Sequence, residues 1–291
     1  MKFARYNGGR VGIVADRGVI DITDAIGIDT AEWPPVGMTR FIADFDTSKD
    51  RLARIAAEGP QQPMDEVTLE SLVPWPNKLI AIPVNYHAHA LEMSSPAISR
   101  NGGFFMKSNS SLSGAGTPIV LPDLPGRQVH HEAELGVIIG RECRHVSHED
   151  ALDQIFGYCC LLDITVRGKQ ERAIRKSYDT FTPVGPYIVT ADEVGDPSDL
   201  DVRLWVNDEL RQDANTRDMI IDVREIIHMT SSVMTLYPGD IIATGTAEGV
   251  GPIEAGDTVT IEIPRVGRMS VGVVQGTGGS NIAIPFTLPQ Q

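Results

Sequence analysis

The sequence predicts a mixed, β-rich fold of the α+β class, in which many short strands are combined with a few helices. Glycine (28) and proline (19) are plentiful among the 291 residues, and they recur between short apolar runs. That spacing favours strands joined by tight turns over a bundle of helices. A hydrophobic fraction of 42% and a charged fraction of 22% are ordinary for a globular protein.

Residues 1–72 are predicted to form a small N-terminal α/β domain. Apolar residues on both sides of Asp16-Arg17-Gly18 predict a β-hairpin. Apolar residues at helical spacing follow over residues 39–57, and the polar tripeptide Asp46-Thr47-Ser48 is expected to break this helix in two. Gly59-Pro60 ends the helical pattern.

A proline-bounded segment, residues 72–76, predicts the boundary with a second and larger domain, residues 73–291. Short apolar runs recur there, and Pro-Gly-Asp and Ala-Gly-Asp turns precede two of them. Residues 79–84 predict a buried strand that leads into a short helix over residues 85–92. The other predicted elements are strands at residues 132–139, 158–163, 204–207, 240–244 and 258–263 and a helix at residues 222–234.

Charge and cysteine content narrow the class of function. A formal net charge of −14 disfavours binding to nucleic acid or to anionic membrane surfaces, because both would repel the chain. The three cysteines, Cys143, Cys159 and Cys160, make a poor disulfide framework and lack zinc-ligand spacing. The first ten residues do not resemble a signal peptide, and no apolar run approaches the ~20 residues of a membrane span. We therefore expect a cytoplasmic protein.

Two glutamates and an aspartate give the strongest local signal for chemistry. Glu132 and Glu134 stand at the start of an apolar run, and on a strand their side chains project from the same face. Asp163 ends another apolar run, residues 158–162. Partly buried like charges repel each other unless a proton or a cation bridges them, and carboxylates without cysteine suit Mg²⁺, Mn²⁺ or Ca²⁺. The spacing alone is equally compatible with glutamates on a solvated sheet edge.

Three other segments carry weaker signals. His89 and Glu92 share one face of the predicted helix, so the carboxylate can orient the imidazole as a base for water; a surface pair has the same spacing. Lys176 precedes a proline-bounded loop and is a candidate partner for an anionic ligand. The glycine-rich segment 245–251 lacks the lysine of a phosphate-binding loop. We expect a tight loop there that offers N–H groups and the Thr246 hydroxyl.

A series of short motifs runs in order from residue 77 to residue 272. They are Asn85-Tyr86, His89-Ala90 with Glu92, Phe105-Met106-Lys107, Glu132-Ala133-Glu134-Leu135, Gly157-Tyr158, Asp163, Arg167 to Gln170, Lys176-Ser177-Tyr178-Asp179, Pro183-Val184-Gly185-Pro186, Val206-Asn207, Arg211-Gln212, Thr216, Pro238-Gly239-Asp240 and Gly245-Thr246. Each motif is short, but so many in the right order are hard to obtain by chance. In this order they resemble the fumarylacetoacetate hydrolase (FAH) family.

The resemblance implies a catalytic domain folded as a β-sandwich roll, commonly a homodimer, preceded by a small N-terminal domain. It implies Mg²⁺ or Mn²⁺ on Glu132, Glu134 and Asp163. It also implies that His89 and Glu92, on a lid segment, act on water or on a substrate proton. Further positions implied in catalysis or substrate binding are Tyr86, Lys107, Arg167, Gln170, Lys176 and Thr246. The doublet His130-His131 is similar to the acylpyruvase and oxaloacetate decarboxylase branch.

The reaction implied by the resemblance is metal-dependent hydrolysis of a carbon–carbon bond in a small anionic 2-oxo acid. Its substrate is a 2,4-dioxo acid of the acylpyruvate or fumarylpyruvate type, cleaved through a metal-stabilised enolate, with Lys176 neutralising the oxyanion. Decarboxylation or isomerisation of a β-oxo or 2-hydroxy-diene acid, hydrolysis or dehydration of a 2-keto-3-deoxy sugar acid, and a non-catalytic Ca²⁺ domain are the alternatives. Two departures from the family's pattern, Gly168 and Ala247, affect substrate identity more than the metal site.

Overall fold

The computed structural model describes residues 1–94 and 103–277, which form seventeen strands and six α-helices. The strands are β1 (Lys2–Tyr6), β2 (Arg10–Ala15), β3 (Gly18–Asp21), β4 (Leu79–Ala81), β5 (Phe105–Met106), β6 (Leu112–Ser113), β7 (Ile119–Leu121), β8 (Val129–His130), β9 (Ala133–Ile139), β10 (Ile155–Leu162), β11 (Thr165–Val166), β12 (Thr182–Thr190), β13 (Asp201–Val206), β14 (Glu209–Asn215), β15 (Ile241–Ala243), β16 (Thr258–Ile263) and β17 (Gly267–Gln275). The helices are α1 (Gly37–Ala43), α2 (Phe45–Glu58), α3 (His87–Glu92), α4 (Arg172–Arg175), α5 (Ala191–Val194) and α6 (Val223–Val233).

Most strands belong to two sheets. The larger has the order β3-β2-β1-β12-β10-β9-β15-β4-β5, with β6 beside β12. The smaller has the order β14-β13-β16-β17-β7, and β8 pairs with β11. The predicted strand-rich α+β class is confirmed.

Both faces of the larger sheet are covered by hydrophobic clusters. Successive side chains of a strand point to opposite faces, so neighbouring residues of β10 belong to different clusters. Cys160 and Leu162 of β10 pack in one hydrophobic cluster with residues of β13 and β16. Cys159 and Leu161 belong to the other cluster, together with residues of α1 and α2. A strand buried on both faces is apolar throughout, which explains the unbroken apolar run of β10.

The N-terminal hairpin is confirmed, with β2 and β3 antiparallel and Ala15 paired with Gly18. Its neighbour β1 pairs with β12, where Phe3 lies opposite Ile188. The first strands thus extend the larger sheet and share its core. The boundary near residue 72 stays a proposal about the organisation of the chain.

Three element boundaries differ from the sequence prediction or refine it. The long helix breaks at Asp44, whereas Asp46-Thr47-Ser48 lies in the first turn of α2, where polar and acidic residues are favourable. Strand β4 ends at Ala81, before Pro83, which lacks the N–H for a ladder. Helix α6 is confirmed, and the Asp222 side chain caps it by accepting from Glu225 N at 2.8 Å. No helix among the described residues has the length and apolarity to cross a membrane.

Candidate metal centre and active site

The pairing of β9 with β10 brings the three predicted carboxylates together. The strands are antiparallel, with Leu161 opposite Glu134. The N–H of Asp163 donates to the carbonyl of Glu132 at 2.9 Å, so the register continues past the strand ends. Residues at opposite and alternate positions share a face. Oxygens of the three buried carboxylates lie within 4.8 Å of one another, as the sequence predicted.

Two buried lysines lie against the carboxylates. Lys176 Nζ donates to Glu132 Oε2 and Asp163 Oδ2, both at 2.6 Å, and to the hydroxyl of Thr165 at 2.7 Å. Lys107 Nζ donates to Asp163 Oδ1 at 2.5 Å and to the carbonyl of Phe181 at 3.1 Å. Charge-assisted bonds of this kind hold Asp163 rigidly.

The pKa values of Glu132 and Glu134 are shifted in opposite directions. Burial alone would raise the pKa of Glu132, but the positive charges of Lys176 and Arg167 lower it to about 2. The pKa of Glu134 is raised well above its ordinary value, first by burial and then by the negative charge of Asp163. One hydrogen bond to Glu134, from Gly245 N at 2.7 Å, offsets this only in part. Ionised Glu134 therefore calls for a further positive charge.

A divalent cation fits this donor set. Three hard oxygen donors match Mg²⁺ or Mn²⁺, and each carboxylate oxygen that accepts a hydrogen bond keeps a second lone pair for the ion. A cation next to Glu134 would also oppose the effects that raise its pKa. Three protein ligands leave room for substrate oxygens at a six-coordinate ion, unlike a closed structural Ca²⁺ site.

The predicted dyad lies on α3. His89 is buried, and its Nδ1 is 3.0 Å from Glu92 Oε2. The other oxygen of Glu92 accepts from Gly249 N at 3.0 Å, which connects the helix to the glycine-rich loop. Ahead of α3, the buried amide of Asn85 bonds to the backbone of Ile221 and to the carbonyl of Thr244. The helix that carries the imidazole is therefore held at both ends.

His89 of the dyad and two of the three carboxylates, Glu132 and Asp163, line one cavity of about 340 Å³. Val84 lines it with a φ of 48°, a conformation that is strained for a β-branched residue and typical of functional sites. The other described lining residues are Ile82, Pro83, His89, Met93, Phe105, Glu132, Asp163, Arg167, Gly168, Arg172, Arg175, Lys176 and Thr246.

Two predicted substrate-binding residues line this cavity. Arg167 Nη2 lies 3.1 Å from Glu132 Oε1 without hydrogen-bond geometry. Its buried Nε and Nη2 have no acceptor among the described residues, so they are available to an anionic ligand. The Thr246 hydroxyl donates to Ala133 O at 2.9 Å and accepts from Gln212 Nε2 at 2.8 Å. It holds the loop against β9 in addition to lining the cavity.

The other three predicted substrate-binding residues are not among the described lining residues of the cavity. Lys107 lies behind Asp163. Gln170 faces a separate small pocket and accepts from Arg127 Nη1 at 2.8 Å. Tyr86 is buried at the N-cap of α3. Their contact with substrate stays a prediction.

Sequence reasoning did not single out Arg172, Arg175 or the role of Gln212. The Gln212 amide bonds to Ala133 N, to Thr246 and to the carbonyl of Ala247, so it joins β9 to the glycine-rich loop. The sequence signal available for the arginines was the density of positive charge: three arginines and two lysines fall within ten residues, 167–176, of an acidic chain.

Comparison with known proteins agrees with this geometry. The family described as "Fumarylacetoacetate (FAA) hydrolase C-terminal" matches residues 78–274. The chain is 40% identical over 285 residues to maleylpyruvate hydrolase of Aquipseudomonas alcaligenes, covering 94% of this chain and 99% of the relative. It is 37% identical over 298 residues to oxaloacetate tautomerase YisK of Bacillus subtilis (strain 168), covering 93% and 99%.

A solved structure is similar over nearly the whole chain. It is maleylpyruvate hydrolase from Sphingobium sp. SYK-6 in complex with manganese(II) ion and pyruvate. Identity is 53% and the TM-score is 0.88, with 95% of this chain and 100% of that chain covered. The match of fold, motif order and carboxylate cluster leads to one conclusion: this chain belongs to the fumarylacetoacetate hydrolase family.

Proposed function

We propose that this protein is a Mn²⁺- or Mg²⁺-dependent hydrolase that cleaves a carbon–carbon bond in a 2,4-dioxo acid of the maleylpyruvate type. The observation that carries the proposal is the cluster of carboxylate oxygens within 4.8 Å of one another, beside a cavity that His89 and three arginines also line. Two similar proteins, at 40% and 53% identity over nearly the full chain, are maleylpyruvate hydrolases. One of them was solved with manganese and pyruvate.

The reaction adds water across one bond. Water attacks carbonyl carbon 4, the bond between carbons 3 and 4 breaks, and the electron pair passes to the pyruvyl group. That group takes up a proton and leaves as pyruvate, while the other half leaves as a carboxylic acid. When bound, the metal supplies a Lewis acid for the negative charge that develops on the pyruvyl oxygen atoms.

His89 is the proposed general base. Its Nδ1 is engaged by Glu92, which leaves Nε2 to take a proton from water. Glu92 is in turn held by Gly249, so the imidazole keeps one orientation. Arg167, whose buried Nε and Nη2 lack acceptors among the described residues, is the proposed partner of the substrate's pyruvyl carboxylate.

Lys176 keeps Glu132 ionised in the proposed mechanism and holds Asp163 by a hydrogen bond. An ammonium has three N–H donors, and all three are already used by these carboxylates and Thr165. Burial lowers the pKa of Lys176, but Asp163 and Glu132 outweigh that effect and raise it, so the charge is retained. Direct contact of Lys176 with an oxyanion requires it to release one of these three bonds.

Release of pyruvate tests the proposal directly. The protein is freed of metal, then given Mn²⁺ or Mg²⁺, and incubated separately with maleylpyruvate and with oxaloacetate. We expect metal-dependent pyruvate release from maleylpyruvate and its loss with chelator. Pyruvate from oxaloacetate alone would instead favour a decarboxylase. Oxaloacetate tautomerisation without cleavage of maleylpyruvate would favour the activity named for the Bacillus relative.

We also propose that the protein works as a cytoplasmic homodimer. A cytoplasmic location is supported by three free thiols, of which Cys159 and Cys160 are buried. The homodimer follows from the family's common assembly, and light scattering of the purified protein tests it.

A further inference from the structure

One wall of the cavity carries an unusual concentration of positive charge. Arg167, Arg172, Arg175 and Lys176 line it, against the two carboxylates Glu132 and Asp163. The excess is two positive charges before any metal ion is added, in a chain whose formal net charge is −14. Bringing like charges together costs free energy unless an opposite charge compensates them, and a bound anion would supply that charge.

Arg175 is fixed in place by the backbone. Its Nε donates to the carbonyl of Gln170 at 2.7 Å, and its Nη1 donates to the carbonyl of Val166 at 3.2 Å. Burial lowers the pKa of Arg175, and the charges of Arg167 and Arg172 lower it further, so the three guanidinium groups lie close enough to repel. Arg175 is therefore a preorganised cation without a carboxylate partner among the described residues.

Arg172 is the free member of the group. It is half-buried at the first position of α4 and lines the cavity. Neither a hydrogen bond nor an ion pair satisfies its side chain within residues 1–94 and 103–277, whereas Arg5, Arg10, Arg40 and Arg203 each pair with a carboxylate. The sequences of segments 95–102 and 278–291 contain no aspartate or glutamate that could neutralise it.

We propose that Arg172, beside the fixed Arg175, binds a second carboxylate of the substrate, at the end remote from the metal. This inference rests on the proposed function and names its substrate class: dicarboxylic 2,4-dioxo acids, in preference to monocarboxylic ones. In the proposed function, the metal ion and Arg167 bind the pyruvyl carboxylate and oxo group. Arg172 therefore remains available to bind a carboxylate at the acyl end. A guanidinium is suited to this task because it binds a carboxylate through two parallel hydrogen bonds.

The test compares two substrates that differ only in the acyl end. Maleylpyruvate carries the second carboxylate, and acetylpyruvate ends in a methyl group instead. For Arg172→Gln we expect kcat/KM to fall about 10- to 100-fold with maleylpyruvate, the usual value of hydrogen bonds to a charged group. With acetylpyruvate it should stay within about twofold, because there is no second carboxylate for Arg172 to bind. Arg172→Lys keeps the positive charge but cannot form two parallel hydrogen bonds to a carboxylate. Its kcat/KM with maleylpyruvate should therefore lie between that of Arg172→Gln and that of the natural protein.

The matched control is Arg51→Gln, which removes the same charge from an exposed position on α2. This variant should leave kcat/KM unchanged with both substrates. An equal loss with both substrates, or no loss with either, would overturn the role of Arg172.

A binding measurement separates this inference from the proposed function. Calorimetry with the Mn²⁺-loaded protein compares maleate with acetate and needs no turnover. Maleate should bind more tightly than acetate, and Arg172→Gln should abolish that difference; its persistence in Arg172→Gln would refute the inference. A natural protein that binds maleate through Arg172 but cleaves neither dioxo acid would refute the proposed function alone.

Discussion

At the residue scale, mutation of the dyad of His89 and Glu92 tests the proposed chemistry. His89→Asn removes the ring nitrogen that takes the proton, so kcat should fall about 10²- to 10⁴-fold, the usual contribution of a positioned base. Mn²⁺ affinity should be unchanged, because His89 is not among the three carboxylate ligands. Steady-state kinetics with maleylpyruvate and calorimetric Mn²⁺ titration measure the two quantities.

His87→Asn is the control, since His87 is exposed on the same short helix. It should retain the kcat of the natural protein. Full activity in His89→Asn would remove the histidine from the mechanism.

The carboxylates could be predicted from the sequence, whereas Arg172 and Arg175 could not. Glu134 lies on β9, Glu132 stands two residues earlier at its start, and Asp163 follows the apolar run that pairs with β9. The cluster could therefore be predicted from the alternation of side chains along a strand. Arg172 and Arg175 lie on a four-residue helix within an irregular segment. No periodic pattern specifies where such a segment turns, and its side chains become informative only once the cavity is known.

At the element scale, the glycine-rich loop between β15 and β16 depends on one backbone conformation. Gly249 has a φ of +88°, and a Cβ atom there would lie 2.0 Å from the carbonyl oxygen of Arg211. Gly249→Ala should therefore displace the loop, lower the free energy of unfolding by about 1–3 kcal/mol and reduce kcat by loosening Glu92. Urea denaturation and kinetics measure these changes.

Gly251→Ala is the matched control in the same loop. The nearest atoms to its Cβ would be Arg211 Nη1 at 3.4 Å and His131 Nε2 at 3.6 Å, which are ordinary contacts. Gly251→Ala should therefore leave the free energy of unfolding and kcat close to those of the natural protein. Equal stability and kcat in the Gly249 and Gly251 variants would show that the loop conformation is not required.

Element types followed from sequence more reliably than their ends. The buried run of β10 and the capped helix α6 were both predicted, since apolar pattern and capping chemistry are local. The helix break was placed at the polar tripeptide 46–48, but the chain breaks at Asp44. Burial of Phe45 at the start of α2, in the core shared with β10, is a tertiary effect that polarity at residues 46–48 does not reveal.

At the scale of the whole molecule, the N-terminal strands and the larger sheet share one core. Aromatic rings from both parts are in contact: Phe156 of β10 lies 6.0 Å from Phe3 and 5.1 Å from Phe45, between ring centroids. The proposed boundary near residue 72 therefore divides the sequence without dividing the hydrophobic core. Pairing of β1 with β12 joins residues about 185 positions apart in the sequence, and no local sequence pattern specifies such a pairing.

We predict that the two parts unfold together. Hydrogen exchange followed by mass spectrometry at rising urea should give one midpoint for peptides of β1 and β16. Phe156→Ala should lower that midpoint for both peptides, through a loss of about 3–5 kcal/mol for a buried aromatic side chain. Exchange of β1 at lower urea than β16 would instead indicate an independently unfolding N-terminal domain.

The central claim is that Glu132, Glu134 and Asp163 together hold one divalent cation. Titration of metal-free protein with Mn²⁺, followed by electron paramagnetic resonance, should show one site per chain. Glu134→Gln should weaken Mn²⁺ binding by more than the 10- to 100-fold usual for outer-shell partners (about 1.4–2.7 kcal/mol). The control Glu248→Gln, at an exposed position of the glycine-rich loop 245–251, should leave Mn²⁺ affinity unchanged. Unchanged Mn²⁺ affinity in Glu134→Gln would contradict the account.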